Sequence, residues 1–387
     1  MFEQVNILPA FNLIITSLTM LGLWHRDGSF VYNIYARIIS GGLITASLSM
    51  IVCLIVRFGE EDVMNSVYYL PGLICSPIKN ICFRKNLNKI GYLIDLTLKK
   101  YSPLRSNAHK VIVDESIAYS TLIFKICVFL MTVSSINFIT SPLWKETKDL
   151  PLIVWVPFDY EAPSVYLKMY IFIAVVFVYN FFTHFGVDLF FYTAMVQVDT
   201  QCDILGDTLR NIDDISEEDD REELGQDKKM HKILIESVRH YNVILKISSL
   251  IADCYKEIFM IQFIYSVCSL CMILYEMSMA DSILTPRFFQ IAFFQVNVTV
   301  EIFLFCYFCQ RVIDKCEKLY YATFEPNWYN ASKEFKQDLF IFMNQLKQPI
   351  IIYAWNIFPI NYETFKAIMQ KSWSFFMALK KMNDMSA

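Results

Sequence analysis

The sequence predicts an all-α polytopic membrane protein of seven transmembrane helices, with its amino terminus cytoplasmic and its carboxyl terminus extracellular. Three observations predict it. Of 387 residues, 55% are hydrophobic, 19% are charged and only ten are glycine, more apolar surface than one soluble core of that length buries. Apolar runs of about 20 residues, the length that crosses a hydrocarbon core of about 30 Å, recur along the chain. Lysines and arginines gather in alternate connections, the bias that orients membrane proteins.

The first apolar stretch, 5–24, is uncharged but carries Pro9 and several asparagines and threonines. An amphipathic helix lying in the interface fits it, with an eighth span as the alternative. No cleavable signal is expected, because a basic leading region and a small-residue cleavage site are both missing. Spans are expected at 38–58, 64–83, 117–140, 166–195, 251–275, 288–308 and 350–379. The connection after the second carries Arg84, Lys85, Lys89, Lys99, Lys100, Arg105 and Lys110. Those after the fourth and sixth carry Lys228, Lys229, Lys232, Arg311, Lys315, Lys318, Lys333 and Lys336. The alternate connections hold only Arg57, then Lys145, Lys148 and Lys168, then Arg287. The amino terminus is therefore expected inside, opposite to a G-protein-coupled receptor.

The net charge of −4 comes from one acidic run, 213–229, read as a solvated loop; nothing points to nucleic acid. Cys268-x-x-Cys271 and Cys306-x-x-Cys309 have zinc-like spacing. Both lie in apolar helical runs, where cysteine behaves as a small hydrophobe. The five histidines, His25, His109, His184, His231 and His240, lack metal-ligand spacing. With no glycine-rich phosphate loop and no nucleophile elbow, no enzyme activity, metal or cofactor is expected. Charges inside spans are costly and often functional. Lys125, Asp188, Glu257 and Glu301 are the clearest; snorkelling to an interface is the alternative for some of them, least so for Glu301.

The last segment is interrupted at Pro349 and Pro359. This predicts two pieces, an inner one ending near Trp355 and a crossing helix from about Tyr362. On that helix Lys371, Ser374, Ala378 and Lys381 recur at spacings of three and four, so they share a face. Trp373, Phe376 and Met377 fall on others. Such a stripe needs water or another helix against it. Several copies around an axis would enclose a pore; a small-residue packing seam within one subunit is the alternative.

Motifs in this region resemble those of the insect odorant receptors. The family's Cys-Tyr-Phe-Gly-Asn, Tyr-x-x-x-Trp-Tyr, Gln-Lys-Pro, Thr-Phe and terminal Ser-Tyr-Ser-Tyr-Phe-x-Leu-Leu correspond here to Cys306-Tyr-Phe-Cys-Gln310, Phe324-Glu-Pro-Asn-Trp328-Tyr329, Leu346-Lys-Gln-Pro349, Thr364-Phe365 and Ser372-Trp-Ser-Phe-Phe-Met-Ala-Leu379. Upstream, Met20-Leu-Gly-Leu-Trp24, the segment 150–163 (LPLIVWVPFDYEAP) and Asp188 before Leu189-Phe190 also match. Cys309, Gln310, Phe324, Trp373 and Phe375 depart from the family's usual residues, which affects local hydrogen bonds. The gustatory receptors' last-span signature is not found, nor is the large insertion of the olfactory co-receptor, so the chain resembles a ligand-tuning subunit.

The resemblance implies a heterotetramer with an olfactory co-receptor in the plasma membrane of sensory dendrites. It implies a cytoplasmic anchor at 311–356, and last helices (362–381) lining one cation pore with Ala378 at the gate and Lys381 one turn outward. It also implies that small volatile odorants bind in the outer half of the bundle. A hydrophobic odorant gains about 25 cal/mol per Å² of buried apolar area, so an apolar, aromatic pocket with a few hydroxyls is expected. By depth, the second and third spans offer Tyr68, Tyr69, Met131, Ser134, Ser135 and Phe138. The fourth offers Tyr170, Ile173 and Phe177, and the fifth Phe263 and Ser266. The competing readings are a gustatory-type channel, a G-protein-coupled receptor, which requires an external amino terminus, and a transporter coupled through Asp188 or Glu301, for which no internal repeat is seen.

Overall fold

The computed structural model describes residues 8–24, 30–57, 67–99, 106–144, 150–152, 154–156, 162–218, 225–278 and 285–386. Of the residues used above, His25, Lys100, Arg105, Lys145, Lys148, the acidic residues within 219–224 and parts of 5–24, 64–83 and 150–163 lie outside them.

Eleven α-helices occur among the described residues: α1 Leu8–Met20, α2 Phe30–Val56, α3 Leu70–Lys85, α4 Leu87–Lys99, α5 Asn107–Thr140, α6 Pro163–Arg210, α7 Ile212–Glu218, α8 Gln226–Ser278, α9 Pro286–Ala322, α10 Lys333–Leu346 and α11 Tyr362–Ser386. Helices α2, α5, α6, α8 and α9 are long and apolar enough to cross a membrane. This is an all-helical, multi-pass membrane protein.

Several helices far outrun the expected spans. Helix α6 has 48 residues and α8 has 53, about 70–80 Å at 1.5 Å per residue, more than twice a hydrocarbon core. Beyond residue 195 the apolar run ends but the helix does not. Gln197, Asp199, Thr200 and Gln201 are buried there, so packing against other helices carries the element on.

Helix α1 is too short to span, with 13 residues covering about 20 Å. Phe11, Ile14 and Leu18 form its buried face, and the Phe11 ring lies 5.9 Å from Phe190 of α6. The helix stops at Gly22, whose φ of +70° suits glycine. There the Leu23 and Trp24 amides both donate to the Leu18 carbonyl.

Helix α3, in the expected second span, follows a 3-10 turn at Val67–Tyr69 and holds Pro77 within it. A proline leaves the carbonyl four residues back without its helical donor. Ser47 of α2 supplies one, its Oγ donating to Leu73 O at 2.7 Å.

Within the expected span 350–379, the inner piece around Trp355 is a hairpin, Tyr353–Ala354 paired antiparallel with Phe358–Pro359. Trp355 and Asn356 adopt φ of 46° and 59°. Two successive left-handed residues make a tight turn, closed by the Ile357 amide donating to Ala354 O at 2.9 Å. Helix α11 then starts at Tyr362, where expected, capped by Asn361 Oδ1 accepting from the Thr364 amide at 3.0 Å.

Candidate functional site

Tyr69, in the turn before α3, is the hub of an aromatic box. Its ring meets Phe138 of α5 at 5.5 Å, Phe177 of α6 at 5.4 Å and Phe294 of α9 at 5.1 Å, all edge-on. Phe138 and Phe177 stack face to face with centroids 3.5 Å apart. The Tyr69 hydroxyl accepts from Gln290 Nε2 at 2.6 Å, and Tyr68 lies against Tyr69 and Phe294. Beside the box is a cavity of about 20 Å³ bounded by Tyr69, Gly72, Leu73, Phe177, Asn180, Phe181, His184, Tyr265 and Phe294. That holds about one water. A Cβ at Gly72 would sit 3.4 Å from the Tyr265 ring, an ordinary van der Waals contact.

The expected ligand residues are thus only partly brought together. Tyr68, Tyr69, Phe138 and Phe177 meet in the box. Ile173 is buried one turn before Phe177, and Met131 and Ser135 are buried on α5. Ser134 Oγ accepts from Asn297 Nδ2 at 2.6 Å, and the Tyr170 hydroxyl is tied to the Ile139 carbonyl. Phe263 instead meets Phe358 of the hairpin edge-on, with ring centroids 5.2 Å apart, and Ser266 accepts from Gln262 at 3.4 Å. Asn180, Phe181, His184, Tyr265 and Phe294 were missed. A signal existed for three of them: counting from Phe177, positions 180, 181 and 184 lie on one helix face.

Below the box sits a fully buried charge cluster. Lys79 Nζ of α3 lies 2.6 Å from Asp188 Oδ1, 3.3 Å from Glu301 Oε1 and 2.9 Å from Gln262 Oε1. His184 Nε2 lies 2.8 Å from Glu301 Oε1, which places the imidazole proton there and leaves Nδ1 an acceptor. Nδ1, Asn180 Oδ1 and Glu301 Oε2 have no hydrogen-bond partner. His184, Asp188 and Glu301 have the donor types of a metal site, with ligand atoms within 4.8 Å of one another, but the Lys79 ammonium already serves as their cation. One lysine faces two carboxylates, so the cluster carries an excess of acceptors. Asp188 and Glu301 were singled out by sequence; Lys79 and His184 were not. Of the other span charges, Lys125 is exposed on α5 and Glu257 pairs with Lys85 at 3.5 Å.

Helix α11 packs on α8 and α9 through one face only. Ile368, Ser372 and Phe376, four residues apart, are buried. Lys371, Ser374, Ala378 and Lys381 are exposed, and Ser374 Oγ turns back to Gln370 O at 2.9 Å. The polar stripe is therefore no packing seam within this subunit. Trp373 and Met377 are also exposed, whereas Phe376 faces the subunit's own helices.

The family profile described as 7tm Odorant receptor matches residues 60–373. Odorant receptor 22a of Drosophila melanogaster is 33% identical over 90 residues, 23% of each chain. Odorant receptor 23a of the same fly is 24% identical over 238 residues, 61% of this chain and 60% of that one. The match to 22a spans about a quarter of that receptor's length. The solved insect olfactory receptor OR5 of Machilis hrabei in complex with eugenol superposes with a TM-score of 0.83 at 16% identity, covering 96% of this chain and 97% of that one. The same receptor in a second structure gives 0.80 over 95% and 97%.

Proposed function

This chain belongs to the insect odorant receptor family, a family of receptors rather than enzymes, and from that premise we propose that it is the ligand-tuning subunit of an odorant-gated, non-selective cation channel. It assembles with a co-receptor subunit as a heterotetramer in the plasma membrane. Helices α3 and α11 complete seven spans beside the five long apolar ones, with the amino terminus inside. The Machilis receptor solved with eugenol has the same fold, which makes a volatile aromatic or aliphatic molecule the natural ligand class.

The observation that carries this reading is the one-sided burial of α11. A helix that packs by Ile368, Ser372 and Phe376 and leaves Lys371, Ser374, Ala378 and Lys381 uncovered is complete only when other subunits bring their own last helices to that side. The stripe then faces a shared aqueous path, with Ala378 at its narrow point and Lys381 nearer its mouth.

Ligand binding opens that path only through higher affinity for the open state. The aromatic box is the binding site, and at about 20 Å³ the cavity beside it is too small for an odorant as it stands. An odorant enters by separating rings, chiefly the Phe138–Phe177 stack. Tyr265 borders the cavity, and Phe263, two residues earlier on α8, holds the hairpin through Phe358. A shift of α8 is thereby passed to the segment that begins α11.

The test is to co-express this chain with a co-receptor and screen a volatile panel by whole-cell current. Ala378→Trp and Lys381→Glu are then compared with the unmodified complex at matched surface expression. A ligand-gated current whose conductance falls with the tryptophan, and whose calcium-to-sodium permeability rises with the glutamate, supports the proposal. If both properties are unchanged, α11 does not line the pore.

A further inference from the structure

A second cavity, of about 230 Å³, lies between α2 and α3. Leu43, Ile44, Pro77 and Ile81 supply its apolar lining, and Ser40, Asn80 and Arg84 its polar lining. The helices run antiparallel here, since Ser47 meets Leu73 at one level and Ser40 meets Arg84 at another. Arg84 is in the last turn of α3, at the end of an expected span, the depth of lipid headgroups.

The polar groups are under-used. Arg84 Nη1 donates to Ala36 O at 3.3 Å and Ser40 Oγ at 3.1 Å. A guanidinium has five N–H donors in a flat fork, so one edge stays uncommitted. No carboxylate pairs with Arg84 among the described residues, whereas nearby Lys85 has Glu257 and Lys89 has Asp253. Asn80 is 3% exposed and its Oδ1 has no partner. An amide end can be turned to present its NH₂, so this side chain also offers a donor. The rim is apolar and open: Ile44 is 41% exposed and Ile81 57%.

We infer that this cavity binds an anionic phospholipid, with the phosphate gripped by Arg84 and Asn80 and an acyl chain lying along Leu43, Ile44, Pro77 and Ile81. A guanidinium fork matches phosphate oxygens two at a time, and the apolar lining suits an acyl chain rather than water. In the proposed orientation the site opens to the cytoplasmic leaflet, where anionic lipids concentrate. That leaflet assignment rests on the proposed topology; the binding chemistry does not.

The experiment uses the purified full-length chain in phosphate-free detergent micelles, alone and with graded phosphatidylserine, graded phosphatidylcholine, whose choline would bring its own cation beside Arg84, or inorganic phosphate. Thermal midpoint and lipid retained in native mass spectrometry are read. The expected result is one phosphatidylserine retained per chain and a saturating rise of about 3–5 °C, absent with inorganic phosphate. Arg84→Gln should abolish the rise by removing the grip. Ile81→Trp should abolish it by obstructing the cavity mouth with the charge kept, and it decides alone if Arg84→Gln does not fold. An equal rise in both variants, an equal rise with phosphatidylcholine, or the same rise with inorganic phosphate overturns the proposal.

Discussion

Replacing Lys79 by methionine keeps most of the side-chain volume and removes the one cation among Asp188 and Glu301. Both carboxylates are fully buried, and their oxygens lie within 4.8 Å of each other. At that separation and an effective dielectric of about 20, like charges repel by about 3.5 kcal/mol. Loss of one partner from a buried ion pair typically costs about 3–5 kcal/mol, so two lines of reasoning agree. The decisive comparison is the double variant Lys79→Met/Asp188→Asn, which removes one positive and one negative charge together. Glu301 then keeps His184 at 2.8 Å, and most of the loss should return. The assay is thermal unfolding of the full-length chain in detergent, followed by the monodisperse fraction on size exclusion, with surface labelling in cells as a second readout. The single variant should fall by roughly 6–20 °C at about 2–4 °C per kcal/mol, and the double variant by less than half of that. A double variant as unstable as the single one would show that Lys79 acts by shape and not by charge.

Phe177→Ala removes a ring from the Phe138 stack and from the Tyr69 contact. Stability should fall by about 3–5 kcal/mol, and the dose–response ranking should move toward bulkier odorants, with small ones losing potency. Asn180→Leu deletes an unpartnered buried acceptor at the cavity. Odorants bearing a hydroxyl should lose about 5- to 10-fold in potency, as expected for one hydrogen bond, while their hydrocarbon analogues hold theirs, both read as concentration for half-maximal current. Phe358→Ala breaks the ring contact to Phe263 without touching the cavity, so maximal current should drop while radioligand or fluorescent odorant binding persists; a parallel loss of binding refutes the coupling route. An epitope after the last residue should stain intact cells and one at Met1 only permeabilised cells, and the reverse result overturns the orientation.

What could be read from sequence follows from range. Which side chains of α11 share a side was legible because periodicity is local: steps of three and four residues decide it, whatever lies opposite. The length of α6 was not, since hydropathy marks where a helix meets lipid and says nothing about where helices meet one another beyond it. The left-handed pair Trp355 and Asn356 was hidden because only the asparagine favours that conformation and no glycine flags the turn. Lys79 was passed over because it sits five residues from Arg84 and six from Lys85, where a lysine reads as part of a basic membrane edge. Its partners Asp188, Gln262 and Glu301 are 109, 183 and 222 residues away, contacts that no local pattern encodes.

One surface nevertheless joins the two halves of the site. Phe177, Phe181, His184 and Asp188 follow one another on α6 at spacings of four, three and four, so a single helix face passes from aromatic box to charge cluster. Phe177 stacks on Phe138 and on Phe181, His184 borders the cavity and holds Glu301 with its Nε2, and Asp188 holds Lys79. A molecule that displaced the rings would therefore press on the same face that anchors the bundle's buried charges. The box is held by dispersion contacts that are individually weak, whereas the cluster one turn below is held by charged hydrogen bonds that tie α3, α6, α8 and α9 together.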